Sequence, residues 1–215
     1  MVLVRGVTAG VLAIAMPLGG AVLSTEAVAE PLAARGYAHV WGDPTFDLPD
    51  RLAGQPVVEI SSGLVSAAAV DAGGAVVAWG EPGPWLDVPA TLSSGVTAVR
   101  AGLYHHLAID RDGLVRAWGA DPDGQATVPA ALATSPVRLI TAGSTFSAAV
   151  TQAGDWVAWG AADGGALQLP ARVTPSAITV LTSSLDMSLF ALRPAAMVAV
   201  TADGALHAWG TDDGG

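Results

Sequence analysis

The stretch Asp112-Gly113-Leu114-Val115-Arg116-Ala117-Trp118-Gly119 decides the fold, because close copies of its Gly-to-Trp-Gly core recur along the chain. Each copy has a turn glycine, then a short apolar segment, and then Trp-Gly. The other copies occupy residues 36–42, 74–80, 154–160 and 204–210. Their tryptophans lie 38, 39, 41 and 50 residues apart. A motif that recurs at this period indicates a repeat architecture, in which each repeat packs against its neighbours.

The same strand and turn signals fill each interval between two Trp-Gly motifs. A short apolar segment ends in proline, as at Val88-Pro89 and Val128-Pro129, and proline belongs at a strand end since it donates no ladder hydrogen bond. Two further apolar strands follow, and Asp112-Gly113 is a strong hairpin signal before the Trp-Gly strand. Four strands per interval joined by tight turns predict an all-β fold built from the four-stranded antiparallel blades of a β-propeller.

The repeated tryptophans and glycines are interpreted as structural. A large ring at one fixed place in every repeat buries much apolar area between neighbouring sheets, and a hairpin glycine adopts positive φ without a Cβ penalty. The structural repeat positions are Trp41, Trp79, Trp118, Trp159, Trp209, Gly74, Gly113, Gly154 and Gly204.

Composition excludes several classes of function. The net charge is −10, and the nine basic residues are scattered arginines, whereas nucleic-acid binding needs clustered cations to neutralise phosphates. The chain has no cysteine, so disulfides, thiolate metal sites and thiol nucleophiles are excluded. No metal-binding, nucleotide-binding or hydrolase motif is found. We therefore expect no nucleic-acid partner, no cofactor, no metal and no enzymatic activity.

The first 29 residues have two interpretations. Arg5, the apolar run 7–23 and the small residues Ala27-Val28-Ala29 fit a signal peptide. Alternatively, residues 4–10 resemble the repeat strand at 137–143 and form a degenerate half-repeat. Pro17 interrupts an already short apolar run, so no membrane span is expected. The predicted division is residues 1–29 as either of these, and residues 30–215 as the propeller segment.

One repeat gives a family resemblance. Residues 96–119 read VTAVRAGLYHHLAIDRDGLVRAWG, and a Gly-Gln loop and a Val-Pro step follow at 124–129. This pattern resembles the bacterial branch of the regulator of chromosome condensation (RCC1) repeat family. The short repeat is most similar in style to the secreted β-lactamase-inhibitory propellers of that fold.

The resemblance implies a propeller that normally has seven blades. Only five Trp-Gly motifs are present, so we expect about five blades or part-blades in an incomplete, open ring. An open ring leaves terminal blades with exposed apolar faces. We therefore expect that the chain needs missing repeats or self-associates.

The face loops are the expected binding elements, because propeller strands hold the loops that make contacts. The resemblance places Tyr104 and Phe146 at contact positions, and Trp85 lies in a loop where large aromatic residues are the usual interface anchors. Packing of these rings on their own blades is the alternative. The candidate binding residues are Tyr104, His105, Phe146, Trp85, Asp121 and Asp123.

These observations favour non-catalytic binding of a protein partner of unknown identity, outside the cell or at its surface. The first alternative is a structural repeat segment of a larger surface protein. The second is a hydrolase or lyase with a site in the propeller channel, since propellers host many functions.

Overall fold

The computed structural model describes residues 36–38, 47–161, 165–183 and 196–210. Residues 1–29 and Trp41 lie outside these ranges. Over the ranges that are described, no helix has the length and hydropathy needed to cross a membrane. The strands are β1 (Gly36–Tyr37), β2 (Pro56–Ser62), β3 (Ser66–Asp71), β4 (Val76–Gly80), β5 (Ala98–Ala101), β6 (His105–Ile109), β7 (Val115–Gly119), β8 (Val137–Ala142), β9 (Phe146–Thr151), β10 (Trp156–Gly160), β11 (Ile178–Ser183), β12 (Met197–Thr201) and β13 (Leu206–Trp209).

The strands form four antiparallel sheets in chain order. Sheet 1 is β1-β2-β3-β4, sheet 2 is β5-β6-β7, sheet 3 is β8-β9-β10 and sheet 4 is β11-β12-β13. The last strand of each sheet is a Trp-Gly strand, and each pairs with the strand before it: Trp118 lies opposite His106, and Trp159 lies opposite Ser147. The fold is the predicted all-β arrangement of repeated antiparallel blades, and the four sheets formed by the described residues do not close into a ring.

Within these ranges, sheets 2 to 4 have three strands rather than the predicted four. The Val88-Pro89 and Val128-Pro129 steps lead into 3-10 helices at Ala90–Leu92 and Ala130–Leu132. Proline cannot donate to a ladder, and its carbonyl instead accepts from a residue three positions later: Leu92 N lies 2.9 Å from Pro89 O, and Leu132 N lies 2.9 Å from Pro129 O. Both leucine side chains are fully buried. The proline step therefore anchors a turn between sheets.

The hydrophobic core lies between successive sheets. Trp118 of sheet 2 packs in one cluster with Val70 and Val76 of sheet 1. Trp159 of sheet 3 packs in the next cluster with Val115 of sheet 2. The two rings are 6% and 7% exposed. Each tryptophan therefore fills the space between its own sheet and the preceding one.

Hydrogen bonds also join neighbouring sheets. The carbonyl of Gly74, in the hairpin of sheet 1, accepts from Val96 N at 2.9 Å, and Gly113 O accepts from Val137 N at 2.8 Å. The Glu59 carboxylate of β2 accepts from Val99 N at 2.8 Å and forms an ion pair with Arg100 of β5. The start of each repeat is therefore fixed on the repeat before it.

Candidate functional site

One set of loops lies together at the end of the sheets where the Trp-Gly strands finish. The residue after each Trp-Gly motif donates to the turn that precedes the strand paired with the Trp-Gly strand: Glu81 N to Val65 O at 2.8 Å, and Ala120 N to Tyr104 O at 2.8 Å. We call this set the loop face. It comprises the turns 63–65, 102–104 and 143–145 and the loops 81–87, 120–127 and 161.

Trp85 and Tyr104 meet on the loop face. Their ring centroids lie 5.1 Å apart with the planes tilted by 41°. Trp85 follows sheet 1 and Tyr104 belongs to sheet 2, so the pair bridges two repeats. Tyr104 is 39% exposed and Trp85 is half-buried. The structure therefore brings together two of the candidate residues that the sequence placed in separate loops.

Local backbone bonds fix the orientation of Trp85. The ring belongs to a 3-10 helix, Pro84–Leu86, and its indole Nε1 donates to the Glu81 carbonyl at 2.9 Å. Gly83 lies directly against the ring, where a Cβ would come within 2.3 Å of it. The hydrogen bond to Glu81 and the close contact with Gly83 together define the orientation of the ring.

The backbone carbonyl of Trp85 makes a structural hydrogen bond that is not predicted from the sequence. Its carbonyl accepts from Trp118 Nε1 at 2.9 Å, as the Gln125 carbonyl accepts from Trp159 Nε1 at 2.9 Å. Trp85 therefore occupies in its repeat the place that Gln125 has in the next one. This carbonyl therefore supports the buried Trp118 ring. The Trp85 ring itself is only half-buried on the loop face.

His105 and Phe146 are not on the surface, contrary to the prediction that they belong to exposed loops. Both are the first residues of strands, and their side chains are 0% and 1% exposed. His105 Nε2 lies 2.9 Å from Ser147 Oγ of the next sheet, and Phe146 packs in a cluster with Met197 of sheet 4. The two residues hold sheets together, because each strand start faces the following repeat.

Asp121 and Asp123 are exposed on the loop face. Asp121 closes its own loop, because its carboxylate accepts from Ala126 N at 2.7 Å and from Thr127 Oγ1 at 2.5 Å. Asp123 N is held by Gln125 Oε1 at 3.0 Å. The described residues contain no group of three or more His, Cys, Asp or Glu side chains able to hold a metal ion. Turn chemistry accounts for this loop.

His105 and His106 point to opposite neighbours, as adjacent residues of a strand must. His106 Nε2 lies 2.9 Å from Ser66 Oγ of sheet 1, and its ring stacks on Trp118 with the centroids 5.0 Å apart. His105 reaches Ser147 of sheet 3. Ser66 and Ser147 were not predicted. The sequence indicates them only by position. Ser66 has in sheet 1 the place that His105 has in sheet 2, and Ser147 has in sheet 3 the place of His106.

Acid is expected to weaken the contacts between the sheets through these histidines. Burial lowers the pKa of His105 from 6.5 to about 4. Burial, and then the neighbouring His105, lower the pKa of His106 to about 3. The unfolded chain therefore takes up protons at a higher pH than the folded chain, so stability should fall as the pH drops from about 6.5 towards these values. Denaturant titrations between pH 7 and pH 4 measure this fall.

The matched variants are His105→Gln and His106→Gln, neither of which titrates at that position. Each should show a shallower loss of unfolding free energy between pH 7 and pH 4 than the unsubstituted chain. If the unfolding free energy falls equally with pH in both variants and in the unsubstituted chain, the buried histidines do not control the acid response.

Comparisons with known proteins agree with this geometry. Residues 96–125 match the family model of the regulator of chromosome condensation (RCC1) repeat. The comparison with curated proteins gives no match.

Three solved structures illustrate the structural likeness. Prp20p from Saccharomyces cerevisiae is 19% identical, with a TM-score of 0.57 over 80% of this chain and 48% of that chain. The ectodomain of the Physcomitrella patens receptor kinase CR4 is 21% identical, with a TM-score of 0.53 over 73% of this chain and 39% of that one. Human WBSCR16 is 16% identical, with a TM-score of 0.55 over 76% and 50%.

The chain spans half or less of the length of each of these structures. At such identities the likeness concerns the fold. The sheet order, the tryptophan-filled spaces between sheets and the matched repeat lead to one conclusion. The chain has the fold of an RCC1-like β-propeller and carries an RCC1 repeat at residues 96–125.

Proposed function

We propose that this chain is a non-catalytic protein-binding propeller segment that binds its partner through the loop face. The fold supports this assignment, because Prp20p, which shares it, is described by its binding to Gsp1p and histones. The partner of this chain is a protein of unknown identity. The charge balance of −10 disfavours a direct nucleic-acid partner.

The observation that carries the proposal is the Trp85–Tyr104 pair. Tryptophan and tyrosine are enriched among the residues that dominate binding energy, since they bury a large area at low entropic cost. Here two such rings, 5.1 Å apart, belong to different repeats on one face. The fixed indole of Trp85 makes the pair a preorganised surface, which reduces the ordering cost of binding.

Replacing Tyr104 by alanine is expected to weaken partner binding by roughly thirtyfold, which corresponds to about 2 kcal/mol at an interface anchor. The measurement is affinity capture from the extracellular fraction of the source organism, followed by titration of the captured protein. Trp85→Ala should weaken binding similarly. Asp112→Ala is the matched control, because Asp112 is exposed in the hairpin at the opposite end of the same sheet.

The capture experiment separates the proposal from its alternatives. Loss of the same protein with Tyr104→Ala and Trp85→Ala, but not with Asp112→Ala, supports the loop face. Equal capture by all three variants would reject it, and would favour a structural segment of a larger surface protein.

The proposed location is outside the cell or at its surface. It is supported by the basic residue, apolar run and Ala27-Val28-Ala29 of the first 29 residues. If these residues are a signal peptide, the mature protein should begin at Glu30. N-terminal sequencing of secreted material measures this, and a retained Met1 would favour the half-repeat instead.

A further inference from the structure

The loop face surrounds its aromatic pair with acidic residues. These residues are Glu81, Asp87, Asp121 and Asp123, and all four are exposed. The turns and loops that define the loop face contain no arginine, and the chain has no lysine. Over its described residues, the surface around Trp85 and Tyr104 therefore carries negative charge with no positive charge among it.

Arginines balance carboxylates in other parts of the sheets. The ion pairs of the described residues join Arg51 to Asp71, Arg100 to Glu59 and Arg116 to Asp110. By contrast, the carboxylates of Glu81, Asp87 and Asp123 have no ion-pair or hydrogen-bond partner among the described residues. Three carboxylates of the loop face are therefore left for solvent or for a partner to balance.

The acidic residues adjoin the two rings. The Glu81 carbonyl accepts from Trp85 Nε1 at 2.9 Å, so Glu81 lies beside the indole. Ala120, which precedes Asp121, donates its N–H to the Tyr104 carbonyl at 2.8 Å. Aromatic faces attract cations through the ring quadrupole, and a guanidinium group also stacks on a ring. The rings and the carboxylates therefore favour the same kind of side chain.

We propose that the partner of the loop face presents a basic surface to it, with an arginine side chain placed at the Trp85–Tyr104 pair. This inference rests on the proposed function and adds the chemistry of the partner. An apolar partner surface would bury the carboxylates of Glu81 and Asp123 without a counter-charge, which is costly. An acidic partner surface would be repelled by like charge. A basic partner avoids both penalties.

The proposal has a consequence for ionic strength. Charges on an exposed face are screened by salt over about 10 Å at 0.1 M. Attraction between an acidic face and a basic partner should therefore weaken as salt is added, and the rate of association should fall with it.

Titration with two short peptides tests the chemistry directly on the purified full chain. One peptide alternates glycine with arginine, the other alternates glycine with glutamate, and both have blocked ends. The reporter is the indole N–H signal of Trp85 in a nuclear magnetic resonance spectrum, identified by its absence from Trp85→Phe. The arginine peptide should shift this signal, less so at high salt, and the glutamate peptide should not. A Trp85 signal that the arginine peptide leaves unchanged, or that both peptides shift equally, would overturn the proposal.

A matched pair of double variants separates a local site from the net charge of the chain. Glu81→Gln with Asp123→Asn removes two charges from the loop face, and should raise the dissociation constant of the arginine peptide roughly fivefold. Asp50→Asn with Asp112→Asn removes two exposed charges outside the loop face, and should change it much less. Circular dichroism checks that both variants remain folded. Equal weakening in the two variants would show attraction by net charge alone and would contradict the proposal.

The captured partner distinguishes this inference from the proposed function beneath it. Weaker binding with Tyr104→Ala and also with Glu81→Gln plus Asp123→Asn supports both. Weaker binding with Tyr104→Ala, but normal and salt-independent binding with the charge variant, would overturn the basic partner and leave the loop face as the binding surface. Normal binding with Tyr104→Ala and Trp85→Ala would reject the proposed function and this inference with it.

Discussion

Replacing Trp118 by alanine is expected to lower the free energy of unfolding by about 3–5 kcal/mol, the usual cost of emptying a large buried aromatic site. The ring is 6% exposed and lies in the cluster that joins sheets 1 and 2. Its Nε1 donates to the Trp85 carbonyl at 2.9 Å. The substitution removes packing on both sheets and one hydrogen bond between them. A denaturant titration followed by circular dichroism measures the loss.

Trp85→Ala is the matched control for this measurement. It removes a ring of the same size, but one that is half-buried on the loop face. Alanine keeps the backbone carbonyl at position 85, so the bond from Trp118 is retained. We expect a clearly smaller loss than for Trp118→Ala. Equal losses would show that the two tryptophans do not have the separate roles assigned to them.

The repeat made the sheets predictable. A Trp-Gly strand can be recognised from sequence because the same space between two sheets recurs, and that space requires a ring at one register position. Trp118 and Trp159 occupy such spaces. Trp79 packs against Ala38 and Leu52 in the same way, and Trp209 is half-buried against sheet 3.

The loop residues were harder to place, because strand boundaries cannot be read to within one residue. The sequence predicts both Tyr104 and His105 in a face loop, but β6 begins at His105. That single position decides whether a side chain faces solvent or the next sheet. Tyr104 is 39% exposed and His105 is fully buried.

Contacts between repeats could not be read from one repeat alone. The Trp85–Tyr104 pair joins two loops that are separate in sequence, and Ser66 and Ser147 acquire their histidine partners only when sheets stack. The fourth strand was predicted from the apolar residues before proline. The missing N–H of proline favours a 3-10 turn there instead.

Gly74→Ala is expected to cost about 2–5 kcal/mol of unfolding free energy, because two penalties coincide. The residue has φ +77°, where an L side chain costs about 1–2 kcal/mol. Its Cβ would also lie 2.5 Å from Gly95 N of the next repeat, and such overpacking typically costs about 1–3 kcal/mol.

Gly204→Ala provides the matched comparison. Gly204 occupies the same hairpin position in sheet 4 and has nearly the same backbone, with φ +83°. Its Cβ position is open, with nothing within 4 Å. This substitution should therefore cost only the backbone penalty, about 1–2 kcal/mol.

The central claim is that each sheet is held against its neighbour through the tryptophan and the hairpin glycine. The difference in unfolding free energy between Gly74→Ala and Gly204→Ala, measured in parallel denaturant titrations, tests this claim most directly. The backbone penalty cancels in this difference and leaves the contact between sheets. We predict that Gly74→Ala is less stable by about 1–3 kcal/mol. Equal stabilities of the two variants would contradict the stacking of repeats described here.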